Sequence, residues 1–184
     1  VEAHASDVRA PFMENFVLPA LMANAMYEGR YPLATALGRP LIAYEMVEVA
    51  KKAGATHVAH GCTGKGNDQV RFELAYQALA PELTVLAPWR EWPIQSREDA
   101  IDYAAARGIP IPVTKKDPFS RDRNLWHLSH EGGPLEDPAF EPDPSMFLLT
   151  RDPTEAEAKP QYVELEFERG TPVAVDGVKL GPAA

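Results

Sequence analysis

The stretch THVAHGCTGKGNDQVR, at positions 56–71, constrains the fold of this chain more than any other. It begins with a short run of β-compatible residues, passes through a glycine-rich turn, and continues with apolar residues at helical spacing. Asn67 and Asp68 follow the turn and are favourable residues for a helix N-terminus. A strand that leads through such a turn into a helix exposes backbone N–H groups at the positive end of the helix dipole. The stretch therefore predicts an α/β unit with a place that can hold an anion.

The glycine turn matches neither common phosphate-binding motif. Lys65 is followed by Gly66 rather than by Ser or Thr, which excludes the Walker loop, and the glycine spacing differs from that of the dinucleotide fingerprint. The simpler alternative is a helix start with a flexible turn. However, one or two polar residues are enough for a cap, and seven lie here: His60, Thr63, Lys65, Asn67, Asp68, Gln69 and Arg71. This density favours a binding site.

Composition excludes several classes of function. The formal net charge of −9 argues against a nucleic-acid-binding surface. Cys62 is the only cysteine, so the chain has no intrachain disulfide and suits a reducing compartment such as the cytoplasm. No apolar run reaches membrane-spanning length, and the first residues show no signal-peptide pattern. Because the chain begins at Val1 without an initiator methionine, we expect it to be an internal piece of a longer protein.

The first part of the chain alternates between helical and strand-like segments. Hydrophobic spacing predicts helices over residues 11–27, 40–53, 97–107 and from the glycine turn to residue 80, and strands over residues 56–59 and 83–87. Residues 109–113, which alternate with proline, should be extended. This order of elements predicts an α/β layer with a parallel sheet.

The composition then changes. Residues 114–160 are rich in proline and charge and have little periodicity, which is typical of a long functional loop or a linker. Residues 161–168 alternate between polar and apolar side chains. The dipeptide Asp176-Gly177 lies between two short apolar runs and predicts a hairpin. We therefore predict two domains, residues 1–112 and 113–184, the second with antiparallel strands.

The run HGCTGKGNDQVRFE, residues 60–73, resembles the signature of argininosuccinate synthases, which usually have Ala at the position of Cys62. Further segments resemble successive parts of the same family in the same order: RYPLATALGRPLIA, APWREW, GIPIPVTKKDPFSRDRNLWHLSHEGGPLEDP and MFLLTRDP. The resemblance covers essentially the whole chain. It implies part of a Rossmann-like parallel-sheet domain of the adenine-nucleotide hydrolase type, followed by the start of an α+β synthetase domain.

The resemblance also implies an activity. The family ligates citrulline and aspartate at the expense of ATP, with Mg²⁺, through a citrullyl-adenylate, and releases AMP and pyrophosphate in arginine biosynthesis. It implies a cytoplasmic enzyme that assembles as a homotetramer. The family's serine- and glycine-rich pyrophosphate loop has no counterpart in this sequence, so we expect the isolated chain to be inactive. A non-catalytic protein that keeps amino-acid or nucleotide binding is the alternative.

The family's site residues can be matched position by position. The resemblance implies ATP contacts at His60 and Gly61, aspartate contacts at Thr63, Asn67 and Asp68, and citrulline contacts at Tyr31, Asn67, Arg71, Ser120 and Ser129. Besides Cys62, three positions depart from the family pattern: Ala36 stands where serine is common, Arg121 where methionine is frequent, and His130 where tyrosine is frequent.

The chemistry implied by the resemblance needs little from a protein nucleophile, because orientation and charge stabilisation can carry the rate. We therefore predict no covalent catalytic residue. His127, His130 and Glu131 have a spacing that leaves a metal site open as an alternative. No further Cys or His lies near them in the sequence, so we predict no metal ligands.

Overall fold

The computed structural model describes residues 2–64, 66–111 and 119–184. Two compact units are present, one formed by Val1–Trp92 with Glu164–Ala184 and the other by Pro93–Val163. The predicted domain boundary between residues 112 and 113 lies outside the described residues, as do Lys65 and the end of the predicted extended segment.

The first unit opens with a helical stretch in three parts. Helix α1 (Arg9–Phe12) continues through a π-helical turn (Met13–Val17) into α2 (Leu18–Met22). Pro19 lies just after the π-helical turn, where the regular i→i−4 hydrogen-bond pattern is already interrupted. The predicted extension of this helix to residue 27 is wrong. Asn24 adopts a positive φ of 49°, which breaks the helical path.

Helix α3 (Ala34–Ala53) begins earlier than the predicted residue 40, and Pro40 lies inside it. Ala34 and Thr35 are buried, so packing of the first turn supports α3 although Pro40 removes one backbone hydrogen bond. The end of α3 agrees with the prediction, because Gly54 takes the left-handed conformation of a helix C-cap, with φ of 63°.

Strand β1 (His57–Ala59) and strand β2 (Thr84–Leu86) pair in parallel, with Val58 opposite Val85. Helix α4 (Asp68–Leu79) connects them, as the sequence predicts, and packs against α3. The shared core contains Ala43, Val47, Ala50, Val58, Phe72, Tyr76 and Ala80. Burying a side chain of valine or phenylalanine size contributes about 1.5–3 kcal/mol, so this core supports everything built on β1 and α4.

Tyr76 is a polar exception inside this core. Its hydroxyl donates a hydrogen bond to the sulfur of Met46 at 3.1 Å, and burial raises the pKa of Tyr76 to about 12. The hydroxyl therefore stays protonated at neutral pH and keeps its donor role.

The last residues of the first unit form an antiparallel sheet of three strands. Its order is β5 (Leu165–Glu168), β6 (Thr171–Val175) and β7 (Val178–Lys179). The predicted hairpin at Asp176-Gly177 is confirmed, with φ of 47° and 75° at its two central residues. Two positive φ angles characterise the type I′ turn that suits the twist of paired strands.

The second unit contains helix α5 (Arg97–Ala106) and an antiparallel hairpin of β3 (Ser120–Arg123) and β4 (Leu128–Glu131). Ser96 and Asp99 form a capping box at the start of α5. The hairpin lies in the segment that we predict as irregular. Its strands are charged and lack apolar alternation, and its turn is held by the Asn124 side chain, which accepts from the backbone N–H groups of Trp126 and His127 at 2.7 and 3.1 Å.

Across the part of the chain that the structure describes, no helix combines the length and apolarity needed to cross a membrane.

Candidate functional site

The glycine turn lies where the sequence predicts it, between the carboxyl end of β1 and the N-terminus of α4. The His60 N–H donates to the Leu86 carbonyl at 3.1 Å, which extends the parallel pairing into the turn. The carboxyl ends of parallel strands, beside a helix N-terminus, are where open α/β sheets bind ligands. The fold therefore places this turn in a suitable position for binding.

The glycines of the turn are not required by the chain's own conformation. Neither Gly61 nor Gly64 adopts a positive φ, and a Cβ atom at either position would meet no heavy atom within 4 Å. Their missing side chains instead leave the backbone open to close approach from outside. This open backbone fits a bound ligand.

His60 supports the turn from inside the protein. Its side chain is buried, and its ring stacks on Phe72 with 6.0 Å between ring centroids. The Cys62 N–H donates to His60 Nδ1 at 3.3 Å, while Nε2 lies 3.0 Å from Glu73 Oε1. Because Nδ1 accepts, the proton belongs on Nε2, where it donates to the carboxylate. The contact between His60 and ATP stays a prediction.

Glu73 connects this histidine to a second cation. Arg90 Nη2 lies 2.6 Å from the same oxygen of Glu73. Burial acts to raise the pKa of Glu73, but the hydrogen bonds from Arg90 and His60 together outweigh it and leave the pKa below its usual value. Glu73 is therefore ionised at neutral pH.

Gln69 completes the set of contacts around the turn. Its Nε2 donates to the Gly64 carbonyl at 2.8 Å, and its Oε1 accepts from Arg90 Nη2 at 2.6 Å. We call His60, Glu73, Arg90 and Gln69 the anchoring network. No sequence reasoning assigned a role to Glu73 or Arg90, although both lie in segments that resemble the family.

Asp68 lies between two arginines. Arg39 Nε, from α3, is 2.8 Å from Oδ2, and Arg71 Nη1, one turn along α4, is 2.8 Å from Oδ1. The three side chains are 22–29% exposed, so water reaches them only in part. Two guanidinium groups on one carboxylate leave a formal charge of +1, which favours a further carboxylate from a ligand.

Arg39 is a site residue that the sequence pattern does not reveal. The pattern predicts a loop at this position, since the helix was expected to start at residue 40. A partner 29 residues away becomes visible only once α3 packs against α4.

Thr63, in the glycine turn, and Asn67, directly before Asp68, are both exposed. Asn67 occupies the N-cap position of α4, as predicted, but its side chain makes no capping hydrogen bond. The reason is its backbone, with φ of −75° and ψ of −20°, which is helical rather than extended. Its amide is therefore not committed to capping.

Tyr31 lies in the same unit, in the loop that leads into α3. Its backbone pairs with Tyr27 through hydrogen bonds of 2.8 and 3.0 Å, which close a tight loop. Ala36 lies in the first part of α3 and is partly buried. The citrulline contact of Tyr31 stays a prediction.

Ser120 and Ser129 lie in the second unit, on the β3–β4 hairpin. Ser120 is opposite Glu131, and Asp122 is opposite Ser129. Directly opposed residues share a face, and alternate residues along a strand do as well. The hairpin therefore brings both serines to one face, together with two carboxylates.

His130 is on the other face of this hairpin, opposite Arg121.

The alternative of a metal site at His127, His130 and Glu131 can be compared with the structure. Burial lowers the pKa of His127, which favours its neutral form. Among the described residues, no three His, Cys, Asp or Glu side chains are grouped so that they could hold a metal ion, and the alternative of a metal site gains no support.

Comparisons with known proteins cover the whole chain. The profile of the Arginosuccinate synthase N-terminal HUP domain matches residues 1–110, and that of the Arginosuccinate synthase C-terminal domain matches residues 119–184. Argininosuccinate synthases from Carboxydothermus hydrogenoformans and Pelotomaculum thermopropionicum are 63% and 62% identical over 176 residues, which is 96% of this chain and 44% of each relative. The synthase of Syntrophobacter fumaroxidans is 55% identical over 183 residues, 46% of its length. The chain thus spans less than half the length of these relatives.

Proposed function

Because this chain belongs to the argininosuccinate synthase family, we propose that it supplies the aspartate site and part of the citrulline and ATP sites of such an enzyme. The complete reaction is the ATP-dependent ligation of citrulline and aspartate, through a citrullyl-adenylate, with release of AMP and pyrophosphate. The observation that carries the proposal is the Arg39–Asp68–Arg71 group beside an open glycine turn.

Aspartate has two carboxylates and one ammonium group, and the turn offers partners for both kinds of charge. Thr63 and Asn67 can donate to a carboxylate. Each oxygen of Asp68 accepts one arginine N–H and has about two acceptor sites, so one remains on each for the substrate ammonium. The two arginines hold the Asp68 carboxylate in one orientation for this contact.

Citrulline carries a carboxylate and a neutral ureido group. Arg71 can bind the carboxylate through its guanidinium, with Asn67 donating beside it. Arg71 is already oriented by Asp68 at 2.8 Å, so less conformational entropy is lost on binding. By resemblance to the family, we also propose citrulline contacts for the hydroxyl groups of Tyr31, Ser120 and Ser129.

ATP lies along the open backbone at Gly61 in this proposal. Among the described residues no three His, Cys, Asp or Glu side chains are grouped so that they could hold a metal ion, and Mg²⁺ is therefore given no protein ligand here. The chain's own contribution to the rate is the alignment of the aspartate amine with the activated ureido carbon. We also propose a cytoplasmic homotetramer, by resemblance to the family, with no nucleic-acid or membrane partner.

Calorimetric titration of the chain with aspartate, citrulline and ATP, each alone, tests the proposal. We expect saturable binding of aspartate and ATP and no release of pyrophosphate from the isolated chain. Asp102→Asn, on the exposed side of α5, serves as a control for added or removed charge. Absence of aspartate binding by a chain with a cooperative thermal transition would contradict the proposed site.

A further inference from the structure

We infer that Arg90 is a positioning residue that holds the glycine turn at two points, His60 and Gly64, through the anchoring network. One part of this inference rests on the proposed function: that the positioning by Arg90 makes aspartate and ATP bind more tightly at the turn. The geometry itself is independent of any ligand.

Gln69 is the contact that reaches the turn. Its Nε2 donates to the Gly64 carbonyl at 2.8 Å, and its Oε1 accepts from Arg90 Nη2 at 2.6 Å and from Nε at 3.3 Å. A guanidinium has no acceptor and a carbonyl has no donor, so only one orientation of the amide satisfies both partners. Arg90 therefore determines that the amide nitrogen of Gln69, and not its oxygen, points at the turn.

Arg90 also holds the turn at a second point, His60. Its Nη2 lies 2.6 Å from Glu73 Oε1, and that oxygen accepts from His60 Nε2 at 3.0 Å. Gln69 and Glu73 are four residues apart on α4 and share a helix face. The network thus begins at His60, before the turn, and ends at Gly64, inside it.

The backbone of Arg90 is itself held by hydrogen bonds. It ends the short 3-10 turn Pro88–Arg90 that follows β2, where the Arg90 and Trp92 N–H groups donate to the Ala87 and Pro88 carbonyls at 3.0 and 2.9 Å. The arginine therefore links the carboxyl end of β2 to the loop that follows β1.

The consequence for binding follows from the freedom of glycine. Gly61 and Gly64 give the turn many accessible conformations, and only some present their backbone to a ligand. The apparent affinity of a ligand falls in proportion to the fraction of molecules in the competent conformation. By restricting the turn at His60 and Gly64, the network raises this fraction, although no ligand contact is assigned to Arg90 itself.

Hydrogen exchange of the unliganded chain tests the positioning directly. In Gln69→Glu the pair with Arg90 is kept while the donor to Gly64 is lost. We expect exchange of peptides covering residues 60–71 to become about threefold to tenfold faster, as for the loss of one hydrogen bond. Gln77→Glu makes the same chemical change on an exposed site of the same helix, and should leave exchange unaltered.

Arg90→Gln should accelerate exchange of the same peptides, and should accelerate it less in a chain that already carries Gln69→Ala than in the unaltered chain, because the contact through Gln69 is then already lost and only the contact through Glu73 remains. Unaltered exchange at residues 60–71 in Gln69→Glu overturns the inference. Equal acceleration in every peptide, together with a lower melting temperature, also overturns it, since the effect would then be general destabilisation.

Calorimetry separates this inference from the proposed function. Dissociation constants for ATP and aspartate should rise about threefold to tenfold in Gln69→Glu, in step with exchange. If the unaltered chain binds neither ligand, the proposed function fails, while faster local exchange still supports the role of Arg90. If exchange accelerates but both dissociation constants stay the same, the positioning has no effect on binding and the inference is wrong.

Discussion

Replacing Asp68 by asparagine removes one negative charge from the centre of the proposed amino-acid site and keeps the shape of the side chain. In the structure, this carboxylate accepts from Arg39 and Arg71 at 2.8 Å each. The variant keeps one oxygen, so it loses at least one of these contacts as well as the attraction for a substrate ammonium. Both the fold and aspartate binding should therefore respond.

The two effects have different sizes. An ion pair at a protein surface contributes about 0.2–1 kcal/mol to stability. The two ion pairs of Asp68 are still partly exposed to water, so we expect the variant to lose about 1–2 kcal/mol in the free energy of unfolding. A hydrogen bond to a charged group contributes about 1.5–3 kcal/mol, so aspartate should bind about 10- to 150-fold more weakly.

Succinate separates the ammonium contact from the structural effect. It has both carboxylates of aspartate and no ammonium, so the intact chain should prefer aspartate, and Asp68→Asn should reduce this preference about tenfold or more. The assay is calorimetric titration of both variants with both ligands, with Asp102→Asn as the control. A variant that loses affinity for aspartate and succinate by the same factor would falsify the ammonium contact, and Asp68 would then act only through its arginines.

Three further variants probe the turn and the core beneath it. Gly61→Ala should leave the free energy of unfolding unchanged or raise it by about 0.4–1 kcal/mol, because the added methyl group meets no other atom of the chain. Calorimetry should nevertheless show weaker ATP binding, because the methyl group occupies space that the proposed ligand uses. Phe72→Ala should cost about 3–5 kcal/mol in denaturant unfolding, because it removes a buried ring that stacks on His60. Since burial is outweighed by the hydrogen bonds from Arg90 and His60, which hold the pKa of Glu73 in the folded chain below its usual value of 4.5, the stabilising contribution of Glu73 is complete above pH 4.5 and is lost as the pH falls through the lower folded value. Glu73→Gln should therefore weaken the acid dependence of stability below this pH, and an unchanged profile would contradict the assignment.

Local features of the site could be predicted from the sequence. The glycine turn, the start of α4, the stop at Gly54 and the Asp176-Gly177 hairpin depend on neighbouring residues, whose spacing is visible in one segment. The family assignment based on residues 60–73 is likewise confirmed.

Features that depend on packing could not be predicted in this way. The pairing of Arg39 with Asp68 requires α3 to lie against α4. In addition, the predicted helix begins at residue 40 and therefore leaves Arg39 outside it. Arg90 joins the network because parallel pairing brings the end of β2 beside β1. The β3–β4 hairpin is not predicted from the sequence, because its charged strands do not alternate between polar and apolar residues.

The central claim is that residues 1–184 supply a working amino-acid site to a citrulline–aspartate ligase. A chimera in which this chain replaces the region that it matches in the Carboxydothermus hydrogenoformans synthase tests it most directly. We predict release of pyrophosphate that requires citrulline, aspartate and ATP together and that falls sharply in the Asp68→Asn chimera. A folded chimera that binds aspartate but releases no pyrophosphate with all three substrates would contradict the claim and identify a binding protein without ligase activity.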